Sequence, residues 1–214
     1  SAAAIIGKKE FMGLTLKVNE QVLIPRPDTE TWLEKVIQYY RNETGLKVAD
    51  LGTGSGAILV GFLYYCRDAV GVGVDISTEA LKIAEENGQN LKITDRVEWR
   101  QGDYLKAFDE EDIFDGIFSN PPYIPTKDIG GLSREVKHEP RLALDGGTDG
   151  LYFYHLLAKG AAEHLKPGGF LAVEFGIGQA TDILEMFRKS AQYEDFEVIK
   201  DYGGIERALY CRKK

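Results

Sequence analysis

The sequence has few of the features that mark secreted, membrane-embedded or metal-dependent proteins. Its 214 residues include two cysteines, Cys66 and Cys211, which lie far apart and form no CxxC pair, so neither a disulfide framework nor a zinc knuckle is predicted. No run approaches the roughly 18 apolar residues that a membrane helix needs. The N-terminus lacks the basic, apolar and cleavage-site regions of a signal peptide. We therefore expect a cytoplasmic protein.

Histidine is scarce, and the 26 basic residues are fewer than the 34 acidic ones. The three histidines, His138, His155 and His164, fit no HExxH or Cys/His ligand spacing, so no metal site is predicted. The net charge of −8 and the pI near 5.0 disfavour broad contact with a phosphate backbone, so nucleic acid is not expected to be the main partner. With 43% hydrophobic and 28% charged residues, the chain has the composition of a globular protein with a substantial core.

Strands and helices alternate along most of the chain. Hydrophobic patterns predict seven strands, at residues 47–51, 70–75, 97–100, 113–119, 170–175, 196–200 and 207–211. Helical patterns follow the first strand at residues 56–65, the second strand in a helix that Ser77 caps, the fourth strand at 151–165 and the fifth strand at 182–190. This alternation predicts an α/β domain whose parallel sheet has helices on both faces, and the last two strands form an antiparallel pair.

The first residues are predicted to stand apart from this domain. Residues 1–4 resemble the remnant of an expression tag, and apolar residues on both sides of Asn19–Gln21 predict a β-hairpin that turns there. We predict that residues 1–26 comprise the tag remnant and the hairpin, and that residues 27–214 form the main domain.

A glycine-rich turn, Asp-Leu-Gly-Thr-Gly-Ser-Gly at residues 50–56, follows the first strand of the main domain. Its glycines let the backbone turn tightly and approach a ligand closely. Asp75 ends the next strand, where a carboxylate accepts hydrogen bonds from ribose hydroxyls. With Ala57 the run also satisfies the dehydrogenase pattern, so an NAD-dependent oxidoreductase stays open. Asp50, directly before the turn, would repel a pyrophosphate and favours a cationic cofactor.

A second acidic segment, Gly102-Asp103-Tyr104, follows the third strand of the main domain. An acidic side chain and an aromatic ring at this position suit the amino group and the ring of an adenine. The alternative is that Asp103 caps the N-terminus of a helix.

The segment Asn120-Pro121-Pro122-Tyr123 follows the fourth strand. Two consecutive prolines fix φ and remove two backbone donors, so the segment is stiff and rich in acceptors. The Asn120 carboxamide and the proline carbonyls suit an NH2 group held by both hydrogens, while Tyr123 stacks on a flat amide or base. The alternative is a plain proline turn at the end of a strand. The following loop, to about Gly150, is too long for a simple connection and is predicted to be functional.

Together these motifs resemble those of the HemK/PrmC family. This family methylates, with S-adenosylmethionine, the side-chain nitrogen (N5) of the glutamine in the Gly-Gly-Gln motif of peptide chain release factors. The resemblance runs from about Gly7 to Arg212, and Ile24–Glu30 and Asp201–Arg207 match it further. It implies a Rossmann-like class I methyltransferase fold, with a mostly parallel seven-stranded sheet, an antiparallel last strand and a preceding β-hairpin.

The resemblance also implies a role for each site residue. The residues that would bind S-adenosylmethionine, and its product S-adenosylhomocysteine, are Gly52, Thr53, Gly54, Ser55, Gly56, Asp75, Tyr104 and Asn120. The residues that would bind the acceptor glutamine are Asn120, Pro121, Pro122 and Tyr123. Catalysis would fall to three of them: Asn120 and the Pro121 carbonyl would each accept one amide hydrogen, and Tyr123 would stack on the amide.

Several expectations stay open. The family's small helical domain before the hairpin is missing here, so we expect a truncated form that methylates release factor less efficiently. The alternative function is N6-adenine DNA or N2-guanine RNA methylation, because Asn-Pro-Pro-Tyr sites also take flipped bases; a silent binding module leaves the motifs unexplained. For Arg26 a salt bridge that closes the hairpin onto the domain is as plausible as substrate contact, and the roles of Thr29 and Glu174 are undetermined.

Overall fold

The structure, a computed structural model, describes residues 2–214, except for the side chains of residues 135 and 137. Ser1, part of the predicted tag remnant, lies outside the described residues. The strands are β1 Lys8–Phe11, β2 Leu14–Lys17, β3 Lys47–Leu51, β4 Val70–Asp75, β5 Val97–Gln101, β6 Phe114–Ser119, β7 Leu165–Glu174, β8 Tyr193–Lys200 and β9 Glu206–Lys213. The α-helices are α1 Ala2–Ile6, α2 Pro27–Tyr40, α3 Ala57–Tyr65, α4 Thr78–Asn90, α5 Arg134–Lys137, α6 Tyr152–Gly160 and α7 Ala180–Lys189.

The main sheet has the order β5-β4-β3-β6-β7-β9-β8. Its strands are parallel except β9, which runs antiparallel to both β7 and β8. This confirms the predicted α/β fold with a mostly parallel seven-stranded sheet. One face packs on α2 and α3, and the other packs on α6 and α7. Since both faces are covered, the central strands are almost continuously apolar.

The topology places the ligand-binding motifs at one edge. The strand order reverses between β3 and β6, because the chain passes from β3 outward to β4 and β5 and then returns to β6. In open α/β sheets, ligands bind at the carboxyl ends of the strands beside such a reversal. The glycine-rich turn leaves β3 and Asn120 follows β6, so the two motifs meet there.

The hairpin exists, but the predicted position of its turn is wrong. β1 and β2 pair around Met12 and Gly13, with φ of 54° and 74°, and not around Asn19–Gln21. Two left-handed residues form the two-residue turn whose twist matches antiparallel strands. A methionine rarely adopts this conformation, so the residue type at position 12 does not predict a turn. The expected second strand, near Val22 and Ile24, is instead a loop packed against α4. The division at residue 27 stays a prediction.

Two other boundaries differ from expectation. Strand β7 begins at Leu165 rather than at Phe170, because residues 166–169 form a bulge within the strand. Phe114 pairs with Leu165, and Gly116 pairs with Phe170. The preceding helix ends at Gly160 and continues as a 3-10 turn over Ala161–His164. In the described part of the chain, no helix combines the length and the apolar character needed to cross a membrane.

Candidate active site

Two clefts open at the carboxyl edge of the sheet and share Asn120. The larger cleft, about 470 Å³, is lined by Gly52, Gly54, Asp75, Tyr104 and Phe153 among others. The smaller cleft, about 260 Å³, is lined by Arg26, Pro121, Tyr123, Leu144 and Glu174 among others. Asn120, which follows the last residue of β6, lies on the boundary between the two clefts.

The glycine-rich turn is fastened to its neighbours by backbone hydrogen bonds. The Gly52 and Thr53 amides donate to the Val74 carbonyl at 2.9 and 2.8 Å. Gly52 and Gly54 adopt φ of 73° and 55°, and a Cβ at either would meet no heavy atom within 4 Å. Gly56, with φ of 81°, lies behind the turn, where a Cβ would be 3.0 Å from the Trp99 ring. The first two glycines thus face open space, and the third permits close packing.

Asp75 holds the turn and also lines the larger cleft. One carboxylate oxygen accepts from the Gly54 amide at 2.8 Å, and the other accepts from the Ser77 amide at 3.0 Å. Burial raises the pKa of Asp75, and these backbone hydrogen bonds oppose the shift. Each oxygen retains lone pairs, so the carboxylate is able to accept hydrogen bonds from a ligand as well.

An aromatic wall closes the far side of the larger cleft. The Tyr104 and Phe153 rings lie 5.0 Å apart between centroids. The Tyr104 hydroxyl shares a hydrogen bond of 2.6 Å with Ser119, which itself donates to the Leu51 carbonyl. Asp103 occupies the position before the short 3-10 helix, but its side chain forms no capping hydrogen bond. The wall is therefore tied to the ends of β3 and β6.

Of the eight residues predicted to bind the cofactor, five line the larger cleft: Gly52, Gly54, Asp75, Tyr104 and Asn120. Thr53 and Ser55 line a small adjoining cavity of about 50 Å³. Of the four predicted to bind the acceptor, Asn120, Pro121 and Tyr123 line the smaller cleft, whereas Pro122 lines the larger one. No group of three His, Cys, Asp or Glu side chains among the described residues is arranged to hold a metal ion.

Two buried side-chain oxygens at the site have no hydrogen-bond partner among the described residues: Asp50 Oδ1 and Asn120 Oδ1. Buried polar atoms are rarely left without a partner, so each needs an explanation. Asp50 Oδ2 accepts from the Thr53 hydroxyl at 2.7 Å, and burial raises the pKa of Asp50 to about 7. Asn120 Oδ1, on the boundary between the clefts, is an acceptor without a donor.

The buried Asp50 predicts a pH dependence of stability. Its pKa rises from 3.8 to about 7 on folding, so in that window the folded chain keeps a proton that the unfolded chain has lost. The free energy of unfolding of the ligand-free protein should therefore fall as the pH rises from about 4 to 7. Asp50→Asn should flatten this decline, measured by urea unfolding at a series of pH values. An identical decline in both proteins would show that Asp50 ionises freely in the fold.

Two glycines, Gly146 and Gly150, pack closely against the backbone of the Asn-Pro-Pro-Tyr segment. A Cβ at Gly146 would lie 2.7 Å from Tyr123 Cα, and one at Gly150 would collide with the Tyr123 carbonyl oxygen. The Ile124 carbonyl accepts from the Gly146 amide at 2.8 Å. The loop that follows β6 thus returns to pack directly against the segment, which explains why small residues stand at these two positions.

The Tyr123 ring rests on the backbone that follows β7. A Cβ at Gly176 would lie 2.8 Å from a ring carbon. Gln179 joins the two parts, because its Nε2 donates to the Tyr123 carbonyl at 3.0 Å and its Oε1 accepts from the Gly176 amide at 2.7 Å. The sequence analysis assigned no role to Gln179. The only sequence feature that marks this position is the pair of glycines, Gly176 and Gly178, that precedes it.

Helix α2 contacts the smaller cleft through Glu174, which ends β7 and is buried. Glu174 Oε1 accepts from the Thr29 hydroxyl at 2.6 Å and from the Trp32 indole at 2.8 Å. Burial raises the pKa of Glu174, and both hydrogen bonds oppose the shift. The sequence left the roles of Thr29 and Glu174 undetermined. In the structure, one role of both residues is to join α2 to the sheet.

Arg26 forms the salt bridge that the sequence left open. Its guanidinium donates to Glu139 Oε2 at 2.6 Å, and Glu139 Oε1 accepts from the Ile24 amide at 3.1 Å. The pair ties the segment after the hairpin to the loop after β6, and both segments line the clefts. Arg26 also lines the smaller cleft, so its structural role does not remove it from the site.

Comparisons with known proteins agree on the class. Residues 42–174 match a family described as a methyltransferase domain. Among solved structures, a methyltransferase from Pyrococcus furiosus superposes with a TM-score of 0.67 at 21% identity, over 94% of this chain and 89% of that one. TrmN from Thermus thermophilus superposes with a TM-score of 0.59 at 18% identity, over 85% of this chain and 48% of that one. These likenesses concern the fold.

Sequence relatives are more specific. The release factor glutamine methyltransferase of Bradyrhizobium diazoefficiens is 44% identical over 99% of this chain and 72% of its own length. The release factor glutamine methyltransferase of Moorella thermoacetica is 41% identical over 98% of this chain and 74% of its own length. The chain belongs to the family of release factor glutamine methyltransferases.

Proposed function

We propose that this chain transfers the methyl group of S-adenosylmethionine to the side-chain amide nitrogen (N5) of the glutamine in the Gly-Gly-Gln motif of peptide chain release factors. The observation that carries the proposal is Asn120 Oδ1, a buried acceptor without a donor where the two clefts meet. Relatives named for this activity, at 44% and 41% identity, support it. A cytoplasmic location goes with it, because release factors act in translation termination.

The larger cleft fits S-adenosylmethionine. Its volume of about 470 Å³ suits a nucleotide-sized ligand. Gly52 and Gly54 offer open backbone for the methionine end, and Asp75 offers a carboxylate to the ribose hydroxyls. The Tyr104 and Phe153 rings offer a wall for adenine. When bound there, S-adenosylmethionine supplies a methyl group on a cationic sulfur, which suits the nearby acidic side chains.

The smaller cleft fits a carboxamide. Asn120 Oδ1 and the Pro121 carbonyl each accept one hydrogen of the substrate NH2 group, and the Tyr123 ring stacks on the amide plane. An amide nitrogen is a weak nucleophile because its lone pair is delocalised. The two acceptors fix the nitrogen so that its lone pair is directed toward the larger cleft, and they stabilise the positive charge that develops on it. The nitrogen–carbon bond forms, the carbon–sulfur bond breaks, and the amide proton leaves to solvent.

The test is methyl incorporation from labelled S-adenosylmethionine. We expect label in the Gly-Gly-Gln glutamine of a release factor, and none in a release factor whose glutamine is replaced by asparagine. DNA and RNA form a second arm, since related sites take flipped bases. Labelled adenine or guanine with unlabelled release factor would contradict the proposal and support a nucleic-acid methyltransferase.

Gly176→Ala tests the seat of Tyr123. A methyl group 2.8 Å from the Tyr123 ring must displace it, and a misplacement of about 1 Å costs up to ~10²-fold in rate. We expect kcat/KM for release factor to fall by about 10–100-fold, with S-adenosylhomocysteine affinity unchanged in calorimetry. The matched control is Gly130→Ala, because nothing lies within 4 Å of a Cβ there. Equal loss in both variants would mean that the ring position does not matter.

A further inference from the structure

Glu174 presents one carboxylate oxygen to the smaller cleft. The residue is 4% exposed and lines this cleft beside Asn120, Pro121 and Tyr123. Its Oε1 accepts both the Thr29 hydroxyl and the Trp32 indole, whereas its Oε2 accepts no hydrogen bond from the described residues. An anchor for helix α2 alone needs only the first oxygen. The second oxygen has no hydrogen-bond partner among the described residues and, unlike Asn120 Oδ1, is not fully buried, so it is free to contact a ligand.

Glu174 forms no ion pair among the described residues. Arg26 also lines the cleft, but Glu139 takes its guanidinium at 2.6 Å. Arg207, on the neighbouring strand, pairs with Asp201 at 2.9 Å and with Asp28 at 3.5 Å. Burial raises the pKa of Glu174, whereas the hydrogen bonds from Thr29 and Trp32 and the positive charge of Arg207 favour its ionised form. The cleft therefore holds a carboxyl group without an ion-pair partner beside the acceptors of Asn120 and Pro121.

We propose that Glu174 is a specificity-determining residue, which makes the smaller cleft accept a glutamine side chain and reject the nearly isosteric glutamate. The inference rests on the proposed function. Asn120 Oδ1 and the Pro121 carbonyl take the two hydrogens of an NH2 group, and the ionised Glu174 adds a negative charge beside them. A glutamate side chain brings two further acceptors and a like charge into a desolvated site, and both effects oppose binding. Sites built to bind an N–H group reject analogues that lack it strongly.

The readout is the affinity ratio of two peptides, identical except for Gly-Gly-Gln or Gly-Gly-Glu, measured by calorimetry with S-adenosylhomocysteine present. Wild type should prefer the glutamine peptide by at least about 100-fold. Glu174→Gln preserves an oxygen for Thr29 and Trp32 and replaces the oxygen that faces the cleft with an NH2 donor. We expect the ratio to fall by at least about tenfold, because the variant gains affinity for the glutamate peptide and loses affinity for the glutamine peptide.

Thr29→Val is the matched control, since it removes one anchor of Glu174 but leaves the carboxylate in the cleft. We expect it to change both affinities together and to leave their ratio within about twofold. If Glu174→Gln and Thr29→Val shift the two affinities alike, Glu174 is only an anchor and the inference is wrong. The peptide-binding experiment and the methyl-transfer assay test different claims. If the wild-type protein transfers no methyl group to release factor, the proposed function is wrong, whereas the affinity ratio of the two peptides tests the role of Glu174.

A measurement on the wild type serves if Glu174→Gln does not fold. The γ-methyl ester of the glutamate peptide is neutral, although it lacks an N–H group. It should bind at least about tenfold more tightly than the glutamate peptide, because the repulsion is gone. An ester that binds no better than the free acid would show that charge does not set the selectivity, and would overturn the inference.

Discussion

Asn120→Ala is expected to lower kcat for release factor methylation by about 10²–10³-fold, the usual loss when one preorganised hydrogen-bonding group is removed at a reacting centre. The fold should survive, because Asn120 Oδ1 is buried and has no partner among the described residues. Removing an unsatisfied buried acceptor costs the ligand-free protein little, so the unfolding temperature should stay equal or rise. Loss of activity together with unchanged or higher stability is the signature of a group kept for its ligand.

Asn120→Asp is the sharper variant. It retains an acceptor toward the amide nitrogen and adds a negative charge beside the cationic sulfur of the methyl donor, so measurable activity should remain. Single-turnover rates compare the two variants, with Asn90→Ala, at the exposed end of α4, as the control. An alanine variant that turns over at the wild-type rate would refute the hydrogen-bond mechanism, although the family assignment would stand.

Asp75→Ala should weaken the binding of S-adenosylmethionine and S-adenosylhomocysteine by about 1.5–3 kcal/mol, the range for hydrogen bonds to a charged group. The upper end is expected, because the carboxylate also holds the Gly54 and Ser77 amides. Asp75→Asn retains one acceptor oxygen but places an NH2 group against one of those amides, so its loss should be intermediate.

Calorimetry measures both affinities, and Asp95→Ala, in the exposed 3-10 turn before β5, is the control. NAD belongs in the same experiment, because the glycine-rich turn also satisfies the dehydrogenase pattern. Tight binding of NAD without binding of the methyl donor would contradict the assignment of the larger cleft. Unchanged affinity in Asp75→Ala would show that the ribose is held elsewhere.

Local patterns predicted most of the sheet because they are written in neighbouring residues. The strands at Lys47–Leu51 and Val70–Asp75 were predicted to the residue, since each is a short apolar run bounded by turn residues. Ser77 was identified as a helix cap, and its hydroxyl does accept from the Ala80 amide. The predicted position of the hairpin turn was wrong because Met12 adopts a left-handed conformation, which is not expected of a methionine.

The sequence by itself determined the alternating fold, the glycine-rich turn and the Asn-Pro-Pro-Tyr segment, because hydrophobic period and backbone stereochemistry act over a few residues. The tertiary structure alone decided which groups face one another. Glu174 meets Thr29 across 145 positions, and Gln179 meets Tyr123 across 56. Such contacts depend on strand order and on the burial of charge. Only the tertiary structure therefore shows that Asn120 Oδ1 and Glu174 Oε2 have no hydrogen-bond partner among the described residues.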